Sequence, residues 1–76
     1  MIFEKVREII ASHLNLDKES ITPDTNLSKD TGADSLDIYQ IITELEEIYE
    51  IEFDNSTAER IKTVGDAVKY IENAMN

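Results

Sequence analysis

Ser35 is the residue around which chemistry could be organised in this chain. It stands in the run Gly32-Ala33-Asp34-Ser35-Leu36-Asp37, where an apolar periodic segment begins. A hydroxyl placed there can act as a nucleophile or serve as a handle that other proteins grip and modify. Nucleophilic catalysis needs a base within reach and an acid to orient that base. The only histidine is His13. It lies at the edge of a helical stripe and reads as a surface or boundary residue, because the chain lacks the supporting shell of a triad. The Gly-x-Ser-x-Gly elbow is absent, since Ser35 has no glycine at either required offset. A serine at a helix start also has a plainer use, which is to satisfy a free backbone amide with its own hydroxyl. The local pattern leaves modification and capping both open.

Other chemistries are excluded more firmly. There is no cysteine, hence no disulfide framework and no thiolate zinc site. A calcium loop started at Asp30 fails at its third position, Gly32; one started at Asp24 fails at its sixth, Lys29. Gly32 and Gly65 are the only glycines, too few for a phosphate-cradling loop. No metal site is expected beyond diffuse attraction of divalent cations.

That attraction follows from the charge pattern. Residues 30–59 hold ten Asp or Glu and no Lys or Arg, while the rest of the chain holds seven of each sign. The whole net charge of −10 belongs to that one segment. Such a segment forgoes salt-bridge support and adds self-repulsion, so something besides stability maintains it. It repels nucleic acid and draws in basic protein partners.

The elements that must position Ser35 are helical. Phe3, Val6, Ile9, Ile10 and Leu14 form a stripe that predicts a first helix over residues 2–15. A loop of about twenty residues follows, long for a compact domain, with Leu16, Ile21 and Leu27 available to pin it to the core. Ile38, Ile41, Ile42, Leu45, Ile48 and Tyr49 predict a second helix from Ser35 to Tyr49, capped by Asp34 and with Asp37 suited to its positive end. Ser56 through Glu59 has capping-box spacing and opens a short third helix. Thr63-Val64-Gly65-Asp66 starts the fourth, with Val64, Ala67, Val68, Ile71 and Met75 on its stripe. Ile51-Glu52-Phe53 is too short to compete as a strand. The expected fold is all-α: a four-helix bundle with a short third helix and a long loop between the first two. With 76 residues the chain is read as one domain, 1–76, with a small core and no deep catalytic cleft. The N-terminal residues lack signal-peptide character and no apolar run approaches membrane-spanning length, so a soluble cytoplasmic monomer is expected.

Over essentially its whole length the chain resembles the acyl carrier proteins. Gly32 through Asp37 resembles their modification motif, Val6-Arg7-Glu8-Ile9-Ile10 their first helix, and Leu45-Glu46-Glu47 the continuation of their second. Ala58-Glu59-Arg60-Ile61 and Thr63-Val64 resemble their third helix and the start of the fourth. The resemblance implies that Ser35, with Asp34 before it, carries a 4′-phosphopantetheine arm through a phosphodiester, whose thiol holds acyl groups as thioesters. Local physics agrees, because free amides at a helix start tolerate a phosphate and Gly32 permits tight geometry before it. Catalysis would belong to the partners: a phosphopantetheinyl transferase and fatty acid synthase enzymes with basic docking patches. The resemblance assigns Leu36, Asp37, Glu46 and Glu47 to docking, and Tyr39 is expected to add apolar contact beside them. It places Ile42, Leu45, Ala58, Ile61 and Ala67 around a stored acyl chain.

Leu27, Thr31, Tyr39, Gln40 and Thr43 depart from the family's usual residues, which bears on partner choice. Two other readings compete. One is a dedicated carrier for polyketide or specialised lipid synthesis. The other, from a different class, is a non-covalent acidic adaptor that would need the acidic helix but not Ser35. A D-alanine carrier is disfavoured by Leu36-Asp37.

Overall fold

The computed structural model describes residues 1–75. It contains α1 (Ile2–Leu14), α2 (Ser35–Tyr49), α3 (Asn55–Arg60) and α4 (Val64–Met75), with one 3-10 turn at Lys18–Ser20. This is the expected all-α four-helix bundle. α1 packs against both α4 and α2. Val6, Ile10, Ile41, Leu45, Val64 and Ile71 are almost completely sealed at its centre. No polar or charged residue is buried among the described residues, so the core is held by apolar burial alone.

Two apolar residues leave the expected stripes. Ile48 is 42% exposed. At about 3.6 residues per turn it falls on the margin of the stripe centred on Leu45. Met75 is 56% exposed, because the last turn of α4 has run past its partners and Asn73 and Ala74 are exposed as well. Phe53 makes the opposite correction. It stands in a run too short to read as an element, yet it is buried, with its ring 4.5 Å from that of Tyr70. The Tyr70 hydroxyl donates to the Glu52 carbonyl at 2.6 Å, so the α2–α3 loop is pinned to α4.

The long first loop is ordered by its own side chains and by a backbone stitch. Asn26 Oδ1 accepts from the Ser28 and Lys29 amides at 3.0 and 2.8 Å, a turn that asparagine favours. Ile21 and Leu27 are buried, as expected of pins, and Leu16 is half-buried. The Leu27 amide donates to the Lys62 carbonyl at 2.9 Å, Val64 to Thr25 at 3.0 Å and Gly65 to Pro23 at 2.8 Å. A Cβ on Gly65 would lie 2.9 Å from the Pro23 carbonyl oxygen, so this close approach requires glycine. The stitch fixes the loop before α2 against the connection from α3 to α4.

α3 is capped differently from expectation. Asp54, not Ser56, is its N-cap, accepting from the Thr57 amide at 2.7 Å. The helix therefore begins at Asn55, before the Ser56–Glu59 pair could act. That hydrogen bond holds the Asp54 carboxyl below its ordinary pKa. At α4 the Lys62 and Thr63 amides donate to Asp66 at 3.0 and 3.1 Å, and the Asp66 amide donates back to Thr63 Oγ1 at 3.1 Å. Asp66 is depressed for the same reason.

Candidate functional site

Ser35 is the first residue of α2 and is exposed. The capping role open to it in the sequence is taken by its neighbour. Asp34 Oδ1 accepts from the Asp37 amide at 2.9 Å, and Asp37 Oδ2 accepts from the Asp34 amide at 3.3 Å. This reciprocal box closes the helix start and leaves the Ser35 hydroxyl unneeded for it. Gly32, three residues earlier, has φ +75°. Glycine adopts that left-handed conformation without steric cost, and the chain turns there into the helix. Thr31 Oγ1 donates to the Leu27 carbonyl and accepts from the Ala33 amide at 3.2 Å, securing the same turn.

Ser35 lies on the lip of a cleft of about 410 Å³ between α2 and α3. Leu27, Ile38, Ile42, Ala58 and Ile61 supply its apolar walls; Ser28, Tyr39, Asn55, Glu59 and Lys62 supply the remaining lining. Of the residues expected around a stored chain, Ile42, Ala58 and Ile61 line this cleft. Leu45 and Ala67 do not. They are 1% and 2% exposed and belong to the core behind the wall. α3 buries no residue of its own, so the wall it forms is the least anchored part of the bundle. Ser28, Asn55 and Lys62 were not legible as lining from the sequence. Ser28 and Lys62 flank the backbone stitch and Asn55 opens α3, so all three reach the cleft through tertiary placement that no local pattern announces.

The residues expected to dock partners divide into two groups. Leu36 and Tyr39 are 60% and 67% exposed, and Glu47 is exposed. Asp37 and Glu46 are half-buried and engaged. Asp37 closes the capping box, and Glu46 Oε2 accepts from the Phe53 amide at 2.7 Å. His13 makes no hydrogen bond with Ser35. Its Nε2 is 2.9 Å from Gln40 Oε1 and its Nδ1 is 4.0 Å from Glu44, so it joins α1 to the flank of α2.

An exposed hydroxyl on the rim of an apolar cleft, with no base beside it, suits a group added by another protein. The family model describing a phosphopantetheine attachment site matches residues 4–71. The acyl carrier protein of Helicobacter pylori (strain J99) is 47% identical over 72 residues, covering 95% of this chain and 92% of that one. The chain belongs to the acyl carrier protein family. Its fold is shared with solved members. The Enterococcus faecalis acyl carrier protein superposes with a TM-score of 0.82 at 35% identity, over 95% of this chain and 91% of that one. A Mycobacterium tuberculosis chain assigned to the same family superposes at 0.91, also at 35% identity, over 97% and 99%. The family's cofactor is 4′-phosphopantetheine. The residues present fit it: a free primary hydroxyl, a turn without side-chain bulk at Gly32, and an apolar cleft alongside. Among the described residues no helix is long and apolar enough to cross a membrane.

Proposed function

We propose that Ser35 is the attachment point and that the chain, as a single carrier domain over residues 1–76, holds growing acyl groups for fatty acid biosynthesis in the cytoplasm. The arm supplies a thiol that carries the acyl group as a thioester. The chain's own residues do the rest without catalysing anything. Asp34 and Asp37 hold the helix start so that the Ser35 hydroxyl is presented outward. Leu36, Tyr39 and Glu47 offer apolar contact and charge to a transferase and to basic synthase surfaces. Ile42, Ala58 and Ile61 shelter acyl carbons, each buried methylene being worth about 0.8 kcal/mol. Leu45 and Ala67 would join that lining when α2 and α3 part.

The observation that carries this reading is the exposed Ser35 hydroxyl, released from capping by Asp34, at the rim of the apolar cleft. Incubating the apo protein with a phosphopantetheinyl transferase and coenzyme A should add one arm by intact mass, mapped to Ser35. The Ser35→Ala protein should gain none, although Ser12, Ser20, Ser28 and Ser56 remain. Labelling of that variant would overturn the assignment. No mass gain in the wild-type chain would favour the acidic adaptor instead.

A further inference from the structure

The residues lining the cleft include one basic residue. Lys62 lines the cleft together with Ser35, within a surface where residues 30–59 carry ten carboxylates and no Lys or Arg. Its backbone is held on both sides: the carbonyl accepts from Leu27 at 2.9 Å and the amide donates to Asp66 at 3.0 Å. The side chain therefore leaves from a fixed point on the cleft wall. Among the described residues no carboxylate stands within ion-pair distance of its ammonium; the Lys or Arg ion pair that forms is Arg7 with Glu4 at 3.6 Å. Glu59, the one acidic residue in the same lining, leaves it unpaired.

Resting on Ser35 as the attachment point, we infer that Lys62 is the counter-ion for an anionic group carried on that residue, namely the phosphodiester of the arm. Modification places a further negative charge beside Asp34 and Asp37. Lys62 is the cation positioned to offset it, and by drawing the phosphate toward the wall it aims the arm into the cleft rather than away from it. Lys62 is thus a positioning residue. The other source of an anion at this lip would be a carboxylate on the cargo itself.

The test uses the modified protein in wild-type, Lys62→Gln and Lys62→Arg forms, with the phosphorus resonance as readout. At low salt the wild-type resonance should differ from that of Lys62→Gln and be restored toward wild type in Lys62→Arg. Between about 0.01 M and about 1 M NaCl, where the Debye length contracts from about 30 Å to about 3 Å, the wild-type resonance should move toward the Lys62→Gln value. The variant should not follow. Identical low-salt resonances in wild type and Lys62→Gln would overturn the role of Lys62 while leaving attachment intact. Absence of any phosphodiester resonance in treated wild type would overturn attachment and this inference together. Loading malonyl and butyryl groups separates the two anions. A Lys62 amide shift already present in the unloaded arm form supports the phosphodiester, and one seen only with malonyl overturns it in favour of the cargo carboxylate.

Discussion

Glu46 and Glu47 are adjacent in sequence and unlike in environment. Both are expected by resemblance to face basic enzymes, and Glu47 alone is proposed to do so in this chain. Glu47 is exposed, whereas Glu46 accepts the partly buried Phe53 amide at 2.7 Å and so fastens the α2–α3 loop. Removing a charged acceptor from a half-buried amide costs about 1–2 kcal/mol. A surface substitution away from such contacts stays within about 0.5 kcal/mol. Glu46→Ala should therefore lower the melting temperature by several degrees. Glu47→Lys should leave melting nearly unchanged while weakening transferase affinity, and that loss should shrink as salt rises. Equal melting of the two variants would remove Glu46 from the loop's support. Unchanged affinity of Glu47→Lys would remove Glu47 from docking.

At the level of elements, the two ends of α2 are unlike. Its start is closed by a double cap, but it ends on Glu50 at φ 55°, with no basic residue in the last turn. A left-handed residue other than glycine costs about 1–2 kcal/mol, and a carboxylate at the negative end of the helix dipole adds to that. Glu50→Gly should stabilise the fold by about 1 kcal/mol, read as a higher denaturant midpoint at unchanged slope. A lower midpoint would mean the Glu50 side chain does something its surroundings do not show. The caps of α3 and α4 set an acid limit. Hydrogen bonds from the Thr57 amide, and from the Lys62 and Thr63 amides, hold Asp54 and Asp66 below their ordinary values. Groups depressed in the folded state contribute stability that is complete above the unfolded value, about 4, and is lost as pH falls through the folded one. Asp66→Ala should cost about 1 kcal/mol at pH 7 through its lost hydrogen bonds, and the gap to wild type should close as pH falls through the folded-state value. A constant gap down to low pH would show that the carboxylate's charge contributes nothing.

For the molecule as a whole, repulsion is concentrated in one segment. Ten anions lie within residues 30–59, which include Ser35 and the residues proposed to dock partners. The core beneath them is small and wholly apolar among the described residues. Screening should therefore stabilise the fold. Millimolar magnesium in low salt, or added NaCl, should raise the melting temperature, and the gain from magnesium should fade once salt alone has contracted the Debye length. Identical melting with and without magnesium at low ionic strength would count against self-repulsion as a cost of this surface.

Much of this was legible in the sequence because it is local. Helical periodicity gave α1, α2 and α4, since the apolar stripe and the helix share one period. Asp34, next to Ser35, announced the cap of α2, since capping reaches only three residues along the chain. The motif around Ser35, with flanks at matching distances, was enough to suggest the family. The start of α3 is not legible in the sequence because Asp54 and Ser56 are both competent caps, and the local pattern does not choose between them; the structure places Asp54 at the cap. Only the tertiary structure decided which apolar residues line the cleft and which lie behind it. Ile42 and Leu45 share one stripe, and a stripe does not say which neighbour each of its edges meets. The same holds for Lys62, brought into the lining it shares with Ser35 by hydrogen bonds between segments more than thirty residues apart. Sequence patterns report the period of one element at a time, whereas the cleft is a property of where several elements meet.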